Sequence, residues 1–138
     1  MSTGDLSLVI EKFIDTINIE ESEYIRTSDL KKLSSTQIHY LDLIYHEDNL
    51  PLSTLARKLK VTKPSVSNHI DKLEKLGYVR KVKSDEDKRV QYLHLTAKGK
   101  TMAKLHDRFH DVFAQKLSGK LSEDELKLLI GILRKAVE

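Results

Sequence analysis

One stretch of the chain, Leu52 to Lys100, admits few folds. It opens on a short amphipathic helix pattern, TLARKLK, which Ser53 can cap and Val61 ends. Thr62 then caps a second helix over KPSVSNHIDKLEKL, with Pro64 in the first turn, where a missing N–H costs no hydrogen bond. Gly77 supplies the stop. Two β-type runs follow, Tyr78 to Val82 and Val90 to Leu95, separated by the charged tip KSDEDKR, a hairpin pattern.

Two helices joined by the tight turn Leu59-Lys60-Val61-Thr62 and followed by a hairpin make a winged helix-turn-helix. The flanks are helical as well. Leu6, Val9, Ile10, Phe13 and Ile17 recur at helical spacing, and Asn18 to Leu33 is polar with a weak pattern. Ser34 and Gln37 form a capping box before a stripe of Ile38, Leu41, Ile44 and Tyr45, and Asn49-Leu50-Pro51-Leu52 is a short extended break. Thr96 caps a long helix to about Leu117; Ser122 and Glu125 open a last one striped by Leu126, Leu129, Ile130, Leu133 and Val137. The expected class is mainly α with a small β-hairpin wing. A single domain is expected over residues 1–138, with the winged helix-turn-helix lobe at 35–98 and flanking helices at 1–33 and 99–138.

Charge is unevenly placed. Of the chain's 24 Lys+Arg, 11 fall between Arg57 and Arg89 against 5 acids, which makes that quarter +6 and the remainder −3. A basic segment on an acidic scaffold points to a polyanion partner. The absence of cysteine excludes thiol catalysis, disulfides and thiolate zinc sites. With no long apolar run and no basic start of a signal peptide, a cytoplasmic protein is expected.

The second helix of the motif carries the chemistry. Val66, Ile70 and Leu73 face a core, whereas Ser65, Asn68 and Lys72 share an outward face with Lys63 and Pro64. Thr62 and Ser67 add hydroxyls to the same end. Short hydroxyl and amide side chains at a helix start reach base edges in the major groove, and lysines meet phosphates.

The stretch LSTLARKLKVTKPSVSNHIDKLEKLGYVRKVKSDEDKRVQYLHLTAKGK resembles the MarR family of bacterial transcription regulators. Its most telling part is Asp87-Lys88-Arg89, followed by Leu95-Thr96 and Gly99, similar to the family's D-x-R wing and L-T-x-x-G. The resemblance implies that Arg89, held by Asp87, enters a minor groove, whose negative potential favours arginine. It also implies a homodimer built from the first and last two helices. Such a dimer places two recognition helices ~34 Å apart and reads a pseudo-palindromic operator. The apolar stripes supply an independent reason, because they exceed what a lobe of this size needs to cover its core.

His39, His106 and His110 stand where the family's zinc-responsive regulators of zinc uptake carry T-Q-x-H and two histidines four apart. That resemblance implies zinc as effector, held by these three and a carboxylate. Glu21 matches without a gap, with Glu20 and Glu23 as alternatives. Three imidazoles and one carboxylate suit tetrahedral Zn²⁺. The branch's second site is not reproduced, since Thr27, Ile38 and Leu105 occupy its positions. His46, His69 and His94 lack such partners, and the last two read as structural. The competing effector is a small organic or anionic molecule in the cleft between dimer helices and DNA-binding lobe. Outside this class stand a metal-dependent hydrolase using the same histidines with a Glu as base, and a sequence-neutral architectural DNA protein. No HExxH, glycine-rich phosphate loop or G-x-S-x-G supports an enzyme.

Overall fold

The computed structural model describes residues 2–47 and 49–138. Its elements are α1 (Thr3–Arg26), a 3-10 turn (Asp29–Lys32), α2 (Ser35–Tyr45), β1 (Leu50–Pro51), α3 (Leu52–Leu59), α4 (Lys63–Lys75), β2 (Val79–Lys83), β3 (Gln91–Leu95), α5 (Ala97–Ser118) and α6 (Glu123–Val137). They divide into two compact units, Met1–Tyr24 with Asp107–Glu138 and Ile25–His106.

The Ile25–His106 unit holds the core. Leu30, Leu41, Leu55, Val66, Ile70, Leu73, Val79 and Leu93 are buried almost completely. Its starts and stops follow local chemistry. Ser34 Oγ accepts the Gln37 N–H while the Gln37 side chain accepts the Ser34 N–H, a reciprocal cap on α2. Thr62 Oγ1 accepts the Ser65 N–H at the head of α4. At the far end Gly77, at φ 84°, donates to the Glu74 carbonyl and Tyr78 donates to that of Leu73. This pairing ends a helix through a left-handed residue. Lys60, at φ 56°, makes the turn between α3 and α4 without glycine, at a local cost of about 1–2 kcal/mol.

The sheet has three antiparallel strands in the order β1-β3-β2, with Leu50 opposite Leu93 and Val79 opposite Leu95. The extended break read from sequence is thus a third strand, two residues long. α3 also begins two residues earlier than expected. Pro51, fixed at φ −68° and ψ 141°, is its N-cap with no side-chain bond, so Ser53 lies inside the helix rather than capping it. The polar segment after Asn18 continues α1 as far as Arg26.

The junction of β3 and α5 is closely packed. Thr96 Oγ1 donates to the Gly77 carbonyl at 2.6 Å and accepts the Gly99 N–H at 3.1 Å, and Thr96 N–H donates to the Tyr78 carbonyl. Gly99 sits so close to that carbonyl that a Cβ would stand 2.0 Å from Tyr78 O. The motif L-T-x-x-G is therefore a packing requirement.

In the other unit, Phe13 lies against Phe113 (6.0 Å between centroids) and Tyr24 against Phe109 (5.6 Å), while Lys116 pairs with Glu20. Much apolar surface there is left open. Leu6, Val9, Ile14, Leu128 and Ile132 are each at least half exposed.

Candidate nucleic-acid interface

α4 buries Val66, Ile70 and Leu73 and leaves Lys63, Pro64, Asn68 and Lys72 exposed, with Ser65 and Ser67 half-buried. The 3.6-residue period alone produces this division, because the three core residues recur at spacings of four and three. Thr62, as N-cap, spends its side-chain oxygen on the Ser65 N–H. Among the described residues, Lys63 and Lys72 make no ion pair. Lys81, by contrast, is committed to structure. Its ammonium lies 2.6 Å from Asp71 and 3.8 Å from Glu74, its N–H donates to Glu74, and the Asp71 hydrogen bond raises its pKa.

The wing tip is organised by Asp87. Arg89 donates to it three times: from the backbone N–H and Nε to Oδ1, each at 3.0 Å, and from a terminal nitrogen to Oδ2 at 3.1 Å. Ser84 N–H donates to the Val90 carbonyl, Asp87 N–H to Ser84 Oγ, and Val90 N–H to the Asp87 carbonyl, closing the turn. The Arg89 hydrogen bonds hold the Asp87 carboxyl below the usual aspartate range, and Asp87 in turn raises Arg89. The Arg89 side chain is nonetheless 90% exposed. A guanidinium anchored on one edge and open to solvent is preset to meet a phosphate or a groove. Lys88, beside it, is exposed.

The histidines divide between the units. His39 lies exposed on α2 and lines a shallow cleft with Tyr40, Val61, Ser65 and His69. His69 packs its ring 5.0 Å from that of Tyr40. His106, the last residue of the Ile25–His106 unit, has Nδ1 3.6 Å from Asp42 Oδ1, and His46 Nε2 is 3.3 Å from the same oxygen. Glu21 and His110 belong to the other unit, where Glu20 is engaged by Lys116. Asp42 is thus the carboxylate that meets His106 and His46 within their unit. Sequence reasoning missed it, although the i, i+4 spacing of Asp42 and His46 on one helix was available as a signal.

The sequence profile of the MarR family matches residues 33–90. YdgJ, an uncharacterised HTH-type transcriptional regulator of Bacillus subtilis, is 28% identical over 101 residues, 73% of this chain but 62% of its own length. YkoM, another from the same organism, is 31% identical over 115 residues, covering 81% of this chain and 73% of YkoM. The chain belongs to the MarR family. Among solved structures, Streptococcus pneumoniae FabT in complex with DNA matches at a TM-score of 0.76 and 30% identity, over 98% of this chain and 94% of FabT. The MarR regulators are non-enzymatic DNA-binding proteins, so the hydrolase reading of the histidines falls away. The chain is a MarR-type DNA-binding transcription regulator. Among the described residues, no helix is long and apolar enough to cross a membrane.

Proposed function

We propose that this MarR-type regulator binds a pseudo-palindromic operator as a homodimer. α4 enters the major groove through Thr62, Lys63, Pro64, Ser65, Ser67, Asn68 and Lys72, and the Asp87-Lys88-Arg89 wing meets the minor groove. The observation that carries this reading is Arg89, fixed to Asp87 along one edge and exposed along the other. The dimer is supported by the open apolar residues of α1 and α6, which a second copy would cover. FabT, a relative solved on DNA, is consistent with the same use of the lobe. Operator binding measured against salt tests the reading. Several phosphate contacts give a steep fall of log K with log salt. A shallow slope, or equal affinity for operator and random DNA, would overturn it.

The proposed gating ligand is zinc, with His39, His106, His110 and Glu21 as ligands and tighter operator binding as the outcome. Its support is the Asp42 carboxylate, whose Oδ1 lies 3.6 Å from His106 Nδ1, since a carboxylate beside an imidazole is a common companion of metal-binding histidine. Zinc would supply charge and a cross-link, no chemistry. Elemental analysis of the purified protein, with operator titrations in zinc and in chelator, tests it. A His106→Ala/His110→Ala variant with an unchanged zinc response would refute it and favour the small organic or anionic effector.

A further inference from the structure

Within the Ile25–His106 unit, a cleft of about 300 Å³ opens between the C-terminal end of α2, the root of the hairpin and the start of α5. Arg80 on β2 and His94 on β3 line it and stand opposite each other in the register, with Lys100 of α5 as a third wall. Side chains opposite one another on neighbouring strands share a face about 5 Å apart, so the guanidinium and imidazole serve one space. Among the described residues, Arg80 and Lys100 have no carboxylate partner. The described carboxylate in the lining, Glu47, is held by Lys58. Among the described residues, two cations without a carboxylate partner and an imidazole surround a concave, partly apolar space, an arrangement suited to an anion, and the volume suits a small molecule.

We propose that this cleft binds a small oxyanion, a carboxylate or phosphate group of metabolite size, through Arg80, Lys100 and His94. The occupant is a free anion and not a DNA phosphate. Paired residues end at Lys83 and Gln91, and His94 lies four residues from Val90, about 13 Å along the strand, at the opposite end from Arg89. The inference does not depend on zinc or on the operator reading.

Calorimetric titration with inorganic phosphate and with citrate, at fixed ionic strength and without DNA, tests it. The expected result is saturable binding of one anion per chain to the full-length protein. An Arg80→Ala/Lys100→Ala variant, which removes two exposed side chains and no internal hydrogen bond, should bind at least about tenfold more weakly. Lys100→Gln alone should weaken it in the same direction. A Lys63→Ala/Arg89→Ala variant, altered at the DNA face, should bind as the parent does. The proposal is overturned if neither anion saturates below about 10 mM, or if the Arg80/Lys100 variant binds unchanged. It is also overturned if the DNA-face variant is the one that loses binding. In phosphate-free buffer the Arg80/Lys100 variant should keep the parent's operator affinity; about a tenfold loss would reassign these residues to DNA.

Discussion

Replacing Gly99 by alanine should destabilise the protein, although alanine is the better helix former. Propensity alone favours the change by up to about 1 kcal/mol in a helix interior. The structure opposes it, because the added Cβ would stand 2.0 Å from Tyr78 O and 3.0 Å from Tyr78 C, both backbone atoms. Relief requires a shift of about 1 Å or more, since carbon reaches its optimum contact near 3.5 Å. Moving α5 that far strains the Thr96 bonds to Tyr78 and Gly77. Two such bonds contribute about 0.5–1.5 kcal/mol each, and overpacking adds about 1–3. Net of propensity, the expected loss is about 1–5 kcal/mol, centred near 3. Urea unfolding followed by circular dichroism, at one fixed protein concentration, measures it. Gly131→Ala on α6 is the internal control, because among the described residues nothing beyond its own helix backbone lies within 4 Å of its new Cβ. That variant should gain up to about 1 kcal/mol. A Gly99→Ala protein as stable as Gly131→Ala would refute the packing argument.

Arg89→Ala should weaken operator binding by about 1–3 kcal/mol with only a small change in the urea midpoint, because its side chain is exposed and its partners are confined to the wing tip; gel-shift titration beside the unfolding curve separates the two. Asn68→Ala should relax base preference at one position of each half-site, visible by operator selection, with little change in the salt slope. Leu128→Glu on α6 should shift sedimentation toward the monomer, since burying such a leucine is worth about 1.5–3 kcal/mol and a charge forfeits it. For Asp87, whose folded pKa is lowered, the stabilising contribution is complete above the ordinary aspartate value and is lost as pH falls through the lowered one. An NMR titration of its carboxyl should show that low midpoint, and Arg89→Ala should raise it; identical midpoints would remove the hydrogen bonds as the cause.

Much of this arrangement is legible in the chain because helix ends depend on local chemistry. Ser34 with Gln37, Thr62, Gly77 and Ser122 with Glu125 each solve a hydrogen-bonding problem within a few residues of sequence. What escaped sequence reasoning depends on partners far along the chain. β1 is two residues long, too short for any period, and exists because Leu50 and Pro51 find Leu93 and Tyr92. The rear of α1 carries no apolar stripe, yet its glutamates are good helix formers and the helix runs on. Arg89 was legible as a wing residue, but its three bonds to Asp87 are a matter of geometry. Asp42 is one polar position of α2 in sequence, and its approach to His106 depends on a residue far along the chain.

Pro51 has a consequence for how this protein meets copies of itself. A three-stranded sheet has two open margins, and each is a template on which a stranger's strand can grow. On one margin lies β1, two residues long and ending in a proline that has no N–H to offer. The other is β2, whose sequence VRKVK carries three cations, so an identical approaching strand would bring like charge against like. The wing can therefore stay extended and solvent-facing at high concentration without seeding a ladder, which is compatible with the proposed association of copies through the exposed helices.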